Sequence, residues 1–496
     1  MYWVNFLHIY QPKNQLDDVL EAVVNQSYRP IFRGLRNISN IKCNLNISGA
    51  LTELLATKGY PDVIEDIRQL AADGKLEFTS TAKYHTFLPF LPEEETLRQI
   101  QINDEANRKY FGEVYRPVCF FPPEMAYDPK IIPALKESGI KLIILDEISY
   151  NGRAEQVPYD RTFKIKDSDI AVVFRERRIS NLIMGGVVRN AKSFGEALAG
   201  EESKNRYIAT AMDGETFGHH RPGLEQFLFE IMRTSPLKQI FLSEVPELFP
   251  PNGEVEPVRA TWAASEKDIH EGTVFYSWHD PKNPIHQLQK EFYDFVLDLL
   301  AGVKPTDKNY LLVREKADSA LASDQFFWAS AEPWWSVEMI EYGAWELLNA
   351  AKSIPKLTVK QKEKIQEFYH RILGAALEWQ RTGHVRKLSR EYRETVKIPF
   401  KERTLEAGKP EVYQVFLDIM TQEMERAAKA GEFEKAILWR DGIWKLETKN
   451  DIYDTIHVTD LLRKELPEGE LEKLMDKYRE KYKKIKSGQV EQRRIE

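Results

Sequence analysis

The chain has 496 residues, 42% of them hydrophobic and 30% charged, and a net charge of −7. That composition belongs to a folded chain with a large core, and its acidic balance offers no cationic footprint for nucleic acid or an anionic membrane. The two cysteines, Cys43 and Cys119, sit in apolar segments and read as buried thiols; their number excludes a disulfide framework and a four-cysteine zinc site.

The N-terminus, Met1-Tyr2-Trp3-Val4-Asn5-Phe6-Leu7-His8, has neither a basic segment nor a small-residue cleavage site. No stretch approaches the roughly 20 apolar residues that span a bilayer. A cytoplasmic protein with a neutral substrate, and with no nucleic-acid or membrane partner, is the expectation.

The first half alternates short apolar runs with amphipathic stretches, the pattern of a parallel α/β fold. Strands are predicted over 3–7, 43–47, 76–80, 118–121, 142–145, around 171–174 and over 207–211, with helices over 60–73, 92–111 and 129–138 between them. Seven strand candidates suggest a closed or nearly closed barrel. Polar side chains collect just after the apolar runs: His8 and Gln11, Glu77 to His85, Glu124, Asp146 and Glu147, and Asp213 and Glu215. In a β/α barrel the loops that follow the strands share one face, where active sites form.

From about residue 285 the pattern turns helical, with period-3.6 stretches over 285–300, 336–351, 359–378, 411–430 and a charge-rich one over 468–486. The division expected is a catalytic β/α barrel over 1–270 and an α-helical domain over 271–496 that closes over the cleft and runs into a charged C-terminal helix.

Two stretches share one design. Val118-Cys119-Phe120-Phe121 ends in Pro122-Pro123-Glu124, where two prolines fix the backbone before an acid. Tyr207-Ile208-Ala209-Thr210-Ala211-Met212 ends in Asp213-Gly214-Glu215, followed by His219 and His220. Read alone, each is either a polar surface turn or a carboxylate delivered to a cleft. Together, Glu124 and Asp213 are a pair of acids at the ends of two strands, the apparatus of glycosidic bond chemistry: one ionised carboxylate attacks or stabilises the sugar cation while the other donates a proton to the leaving oxygen. A separation of about 5–5.5 Å would mean retention through a covalent intermediate. An ionised Glu124 needs hydrogen bonds or a cation to hold its pKa low, and a protonated Asp213 needs burial or the charges of Glu124 and Glu215 to raise its own.

The ordered set His8-Ile9-Tyr10-Gln11-Pro12, Gly74-Lys75-Leu76-Glu77, Phe121-Pro122-Pro123-Glu124, Met212-Asp213-Gly214-Glu215 and Ala322-Ser323-Asp324-Gln325-Phe326 resembles the five sequence regions of glycoside hydrolase family 57, which holds α-amylases, amylopullulanases, branching enzymes and 4-α-glucanotransferases. The resemblance implies an incomplete (β/α)7 barrel followed by a helical domain. It also implies a retaining enzyme on α-linked glucans or maltooligosaccharides, and neither metal nor organic cofactor. By it, Glu124 matches the nucleophile and Asp213 the general acid/base; His8, Gln11, Glu77, Glu215 and Asp324 match positions that hold sugar hydroxyls or orient the pair. Tyr10 stands where the family usually has a second histidine. Phe121 and two prolines stand where a tryptophan often precedes the nucleophile, which leaves hydrolysis and transfer both open.

Trp262, Trp278, Trp328, Trp334 and Trp335 cluster near Asp324. Tryptophans make platforms for the apolar faces of pyranose rings, with core packing the alternative for each. Trp334 and Trp335, beside Pro333, are expected on a loop lining the cleft, and Trp262 and Trp278 are platform candidates. His8, His85 and His219 are expected to donate to sugar hydroxyls or to the acids. His219-His220 and His279/His286 have no metal-ligand spacing, so the alternative of a metal-dependent polysaccharide deacetylase lacks an Asp-His-His set. A non-catalytic carbohydrate-binding protein is the other alternative, and a pure binder has no need of an acid pair.

Overall fold

The computed structural model describes residues 1–389 and 410–447, together with residues 462, 466, 470, 473, 477 and 480. The helix expected over 468–486 and the charged tail over 477–496 lie outside the described residues apart from those single positions.

All seven predicted strands form: β1 (Tyr2–Ile9), β2 (Cys43–Ile47), β3 (Leu76–Ser80), β4 (Cys119–Phe120), β5 (Leu142–Asp146), β7 (Ala171–Arg175) and β8 (Tyr207–Asp213). They lie side by side in the order β7-β5-β4-β3-β2-β1-β8, every pairing parallel. β1, β2, β5 and β7 are buried along almost their whole length, as strands covered on both faces must be, and this is why they read as unbroken apolar runs. Three strands were not anticipated. β6 (Thr162–Ile165) pairs antiparallel with β7, β10 (Pro251–Val255) extends that edge, and the two-residue β9 (Lys238–Gln239) pairs with the start of β1.

The sheet curls without closing. Its strand order ends at β8 on one side and β10 on the other. Across the gap, the Glu176 amide donates to the Ala209 carbonyl at 2.8 Å and Arg175 Nε to the Ala211 carbonyl at 2.8 Å. The result is an open half-barrel, the incomplete barrel that the resemblance implies.

The helical region docks on the barrel and shares its core. Phe87 of the barrel stacks on Trp278 at 5.2 Å, and Phe90 meets Phe326 edge-on at 5.1 Å. Two largely buried ion pairs pin it to the helix Glu93–Phe111: Arg98 with Asp318 at 2.5 Å, and Arg314 with Glu95 at 2.7 Å. The helices Pro284–Ala301, Val337–Ser353 and Val359–Thr382 fall where the 3.6-residue period puts them. This docking carries Ser323 and Asp324 to the strand ends of the barrel.

Candidate active site

Strand direction decides which polar residues meet. His8, the penultimate residue of β1, registers with Asn46 of β2 and Asp213 of β8, so these three side chains share the C-terminal edge of the sheet. Past β8 the chain turns at Gly214, where an added Cβ would lie 2.5 Å from Ile9 Cγ2. Only glycine fits there, and the tight turn sets Asp213 and Glu215 on either side of it. Past β4, Pro122 and Pro123 lead into Glu124 in the left-handed backbone region, at φ 62° and ψ 14°. His85, past β3, is also left-handed, at φ 54°. Non-glycine residues hold such conformations only where their surroundings impose them.

Residues 260–262 run alongside the Glu124 loop. The Tyr127 amide donates to the Ala260 carbonyl at 2.9 Å and the Trp262 amide to the Glu124 carbonyl at 3.1 Å. The Trp262 indole Nε1 donates to Glu124 Oε2 at 2.8 Å. On the other oxygen, His85 Nδ1 lies 3.8 Å from Glu124 Oε1. The His85 ring is sandwiched between Tyr10 at 4.2 Å and His8 at 5.2 Å, and His8 rests on Phe121 at 4.7 Å. The His8 Nδ1–H donates to Asn46 Oδ1 at 2.8 Å.

Glu215 is buried and has the most hydrogen-bond donors of the acids in the group. It accepts from the Tyr10 amide and Gln11 Nε2, each at 3.3 Å, and from the Tyr28 hydroxyl. Asp324, arriving from the helical region, accepts from the Tyr10 hydroxyl at 2.7 Å. His8, Gln11, Glu124, Asp213, Glu215 and Asp324 of the resemblance, with the candidates His85 and Trp262, thus fall in one cluster.

Four carboxyls crowd this cluster. Burial pushes Glu124 up to about 8, with the Asp213 charge adding to the rise and the Trp262 hydrogen bond opposing it. Burial raises Asp213 to about 6 against the pull of Arg175, Glu215 to about 7 with help from Asp213, and Asp324 to about 6 against the Tyr10 hydrogen bond. Burial also lowers His8 to about 4 and takes His85 well below its ordinary value, so neither ring supplies a cation. The rise of Asp213 matches the expectation, and burial is its cause. The expectation that Glu124 is held low is corrected: one indole donor does not offset burial beside other acids.

Other candidates lie elsewhere. Glu77 is the second residue of β3, at the N-terminal end of the sheet, and accepts from the amide and hydroxyl of Ser243; it is at the wrong end of its strand to join the cluster. Trp278 is buried and stacked between Phe87 and Phe327, a core residue rather than a platform. His219 binds Gln26 at 2.8 Å on the surface. Trp334 does sit on an exposed loop, while Trp335 donates to Gln380 and stacks on Trp379 at 5.9 Å. Sequence reasoning missed Tyr10 as a structural partner of Asp324, and it missed Tyr28 and the two arginines Arg175 and Arg177. Arg175 carries a readable signal, a lone cation closing an apolar strand; Tyr28 carries none. Among the described residues no three His, Cys, Asp or Glu side chains converge as metal ligands do, and no helix is long and apolar enough to cross a membrane.

The model of a family described as glycosyl hydrolase family 57 matches residues 4–254. An α-amylase of Pyrococcus horikoshii is 25% identical over 279 residues, covering 53% of this chain and 43% of that protein. The chain thus spans less than half the length of this curated relative. The structure of a 4-α-glucanotransferase from Thermococcus litoralis is similar with a TM-score of 0.56 at 21% identity, over 72% of this chain and 59% of that one. A GH57-type branching enzyme from Pyrococcus horikoshii is similar with a TM-score of 0.57 at 17% identity, over 76% of this chain and 96% of that one. A second model, the UvrB/uvrC motif, matches residues 416–449, a segment that takes in most of the helix pair Pro410–Lys429 and Phe433–Glu447.

Proposed function

The chain belongs to glycosyl hydrolase family 57, and from that premise we propose that it is a retaining enzyme on α-linked glucans, with Glu124 as nucleophile and Asp213 as general acid/base. A Glu124 oxygen attacks the anomeric carbon while Asp213 gives its proton to the departing glycosidic oxygen. Water or a sugar hydroxyl then attacks the same carbon, returns a proton to Asp213 and releases Glu124. The activities of the relatives, α-amylase and 4-α-glucanotransferase, supply the substrate class.

One observation carries the reading: Glu124 and Asp213 both stand half-buried at the C-terminal edge of the sheet, and the charge of Asp213 raises the pKa of Glu124. Two such acids share protons as a unit, so one is protonated while the other is ionised near neutral pH. Double displacement uses the arrangement with the proton on Asp213 and Glu124 ionised, the opposite of the order in which burial sets the two pKa values. Glu215 and Asp324, each already holding a fixed donor, are suited to gripping sugar hydroxyls on either side.

Incubation with maltoheptaose followed by product chromatography tests the proposal. Oligosaccharides both longer and shorter than the donor indicate glucan transfer, shorter ones alone indicate hydrolysis, and no product from any α-glucan contradicts the reading.

A further inference from the structure

Arg177, just after β7, has no place in the chemistry so far described, yet two of its three hydrogen bonds reach the loop that holds the Glu124 partner. Arg177 opens the helix Arg177–Met184, capped by Glu176. Its Nε donates to Asp146 Oδ1 at 2.9 Å, its Nη2 to the Trp262 carbonyl at 2.9 Å, and its Nη1 to the Ala264 carbonyl at 2.7 Å. Asp146 is fully buried at the end of β5; its other oxygen takes Arg175 Nη1 at 2.6 Å, and the Ile148 amide caps Oδ1 at 3.0 Å. One face of the planar guanidinium fork is thus fixed by a carboxylate that cannot move, and the other holds two backbone carbonyls of the 262–264 turn. Lysine, a single point charge, cannot reproduce that fork.

We infer that Arg177, anchored by Asp146, is a positioning residue that holds the 262–264 turn so that the Trp262 indole stays on the Glu124 carboxylate. The inference rests on the reading of Glu124 as nucleophile, but it adds a residue outside the family's five sequence regions. With both carbonyls held by Arg177 and the Trp262 amide held by the Glu124 carbonyl, the Trp262 backbone is tied on both sides while its Nε1–H donates to Oε2. Without the fork, two carbonyls lose their donors and the turn is free to shift by the fraction of an ångström that breaks an aligned hydrogen bond. Glu124 would then face the charges of Asp213 and Asp324 and the neutral ring of His85 without its indole donor.

The test uses the full chain carrying isotope-labelled tryptophan, in which the Trp262 indole N–H resonance is identified by its loss in Trp262→Phe. In Arg177→Gln that resonance is expected to shift, and its titration with pH to move to a higher midpoint than in the parent. On maltoheptaose, Arg177→Gln is expected to lower kcat/KM about three- to tenfold, and Arg177→Gln/Trp262→Phe to be no slower than Trp262→Phe alone, because both changes remove the same contact. A Trp262 resonance and titration unchanged in Arg177→Gln, or losses that multiply in the double variant, would overturn the inference. Should Arg177→Gln not fold, Arg177→Lys carries the same expectations. Activity that survives in Glu124→Ala would instead remove the reading of Glu124, leaving the Trp262 resonance to judge the positioning role by itself.

Discussion

The Trp262 indole donates to Glu124 Oε2 at 2.8 Å while the Trp262 amide donates to the Glu124 carbonyl at 3.1 Å. One tryptophan therefore grips both the main chain and the carboxylate of the candidate nucleophile, which sits in left-handed backbone. Trp262→Phe keeps the ring and removes the donor. The expected outcome is a loss of about tenfold to a hundredfold in kcat/KM on a maltooligosaccharide, with little change in Tm. Steady-state kinetics beside thermal unfolding measures both.

The acid pair sets the pH profile. With Asp213 raised to about 6 and Glu124 to about 8, the pair holds about one proton between those values. A bell-shaped kcat/KM with limbs near 6 and 8 is expected, the two values belonging to the pair rather than to either residue. In Trp262→Phe the limb near 8 moves upward, because the hydrogen bond that opposed the rise of Glu124 is gone. Kinetics across that pH range measure the limbs.

Stability follows the same carboxyls with a definite sign. Each has a folded-state pKa raised above the ordinary value of about 4, so the folded state holds its protons longer than the unfolded chain. That contribution is full below about pH 4 and is lost as pH rises through about 6 for Asp213 and Asp324, about 7 for Glu215 and Glu77, and about 8 for Glu124. Tm is expected to fall between about pH 5 and about pH 8. Glu124→Gln is expected to make the fall shallower and to raise Tm by about 1–3 °C at the alkaline end. Differential scanning calorimetry across that range is the check.

Much of this arrangement is legible in the residues. The strands that build the barrel are buried on both faces, so they appear as apolar runs; β6, β9 and β10 are short, and β10 leaves Pro251 to Glu254 exposed, so no run marks them. Glu124 and Asp213 are findable because proline and glycine end their strands sharply. Glu77 misleads because a sequence motif does not state which end of a strand it occupies, and it falls before the strand body rather than after it. Trp278 misleads for a related reason: its turn-like setting is filled by Phe87 and Phe327, residues far away in the chain. The arginine network and the crowding that raises Glu124 depend on side chains meeting across three strands, which no local pattern records.

Tyr10, standing in for a histidine, joins two halves of the site. Its ring covers His85 at 4.2 Å and its hydroxyl donates to Asp324 at 2.7 Å. Tyr10→Phe keeps the stack and frees Asp324, a group expected to hold sugar hydroxyls. KM is expected to rise about three- to tenfold with a smaller change in kcat. Initial rates over a range of maltoheptaose concentrations separate the two.

The most direct measurement compares wild type and Glu124→Ala on maltoheptaose, with folding of both checked by circular dichroism. The expected result is turnover in the wild type, a fall of about a thousandfold or more in Glu124→Ala, and an unchanged spectrum. Equal turnover by the folded Glu124→Ala variant would contradict the assignment of Glu124 as nucleophile and, with it, the double-displacement mechanism.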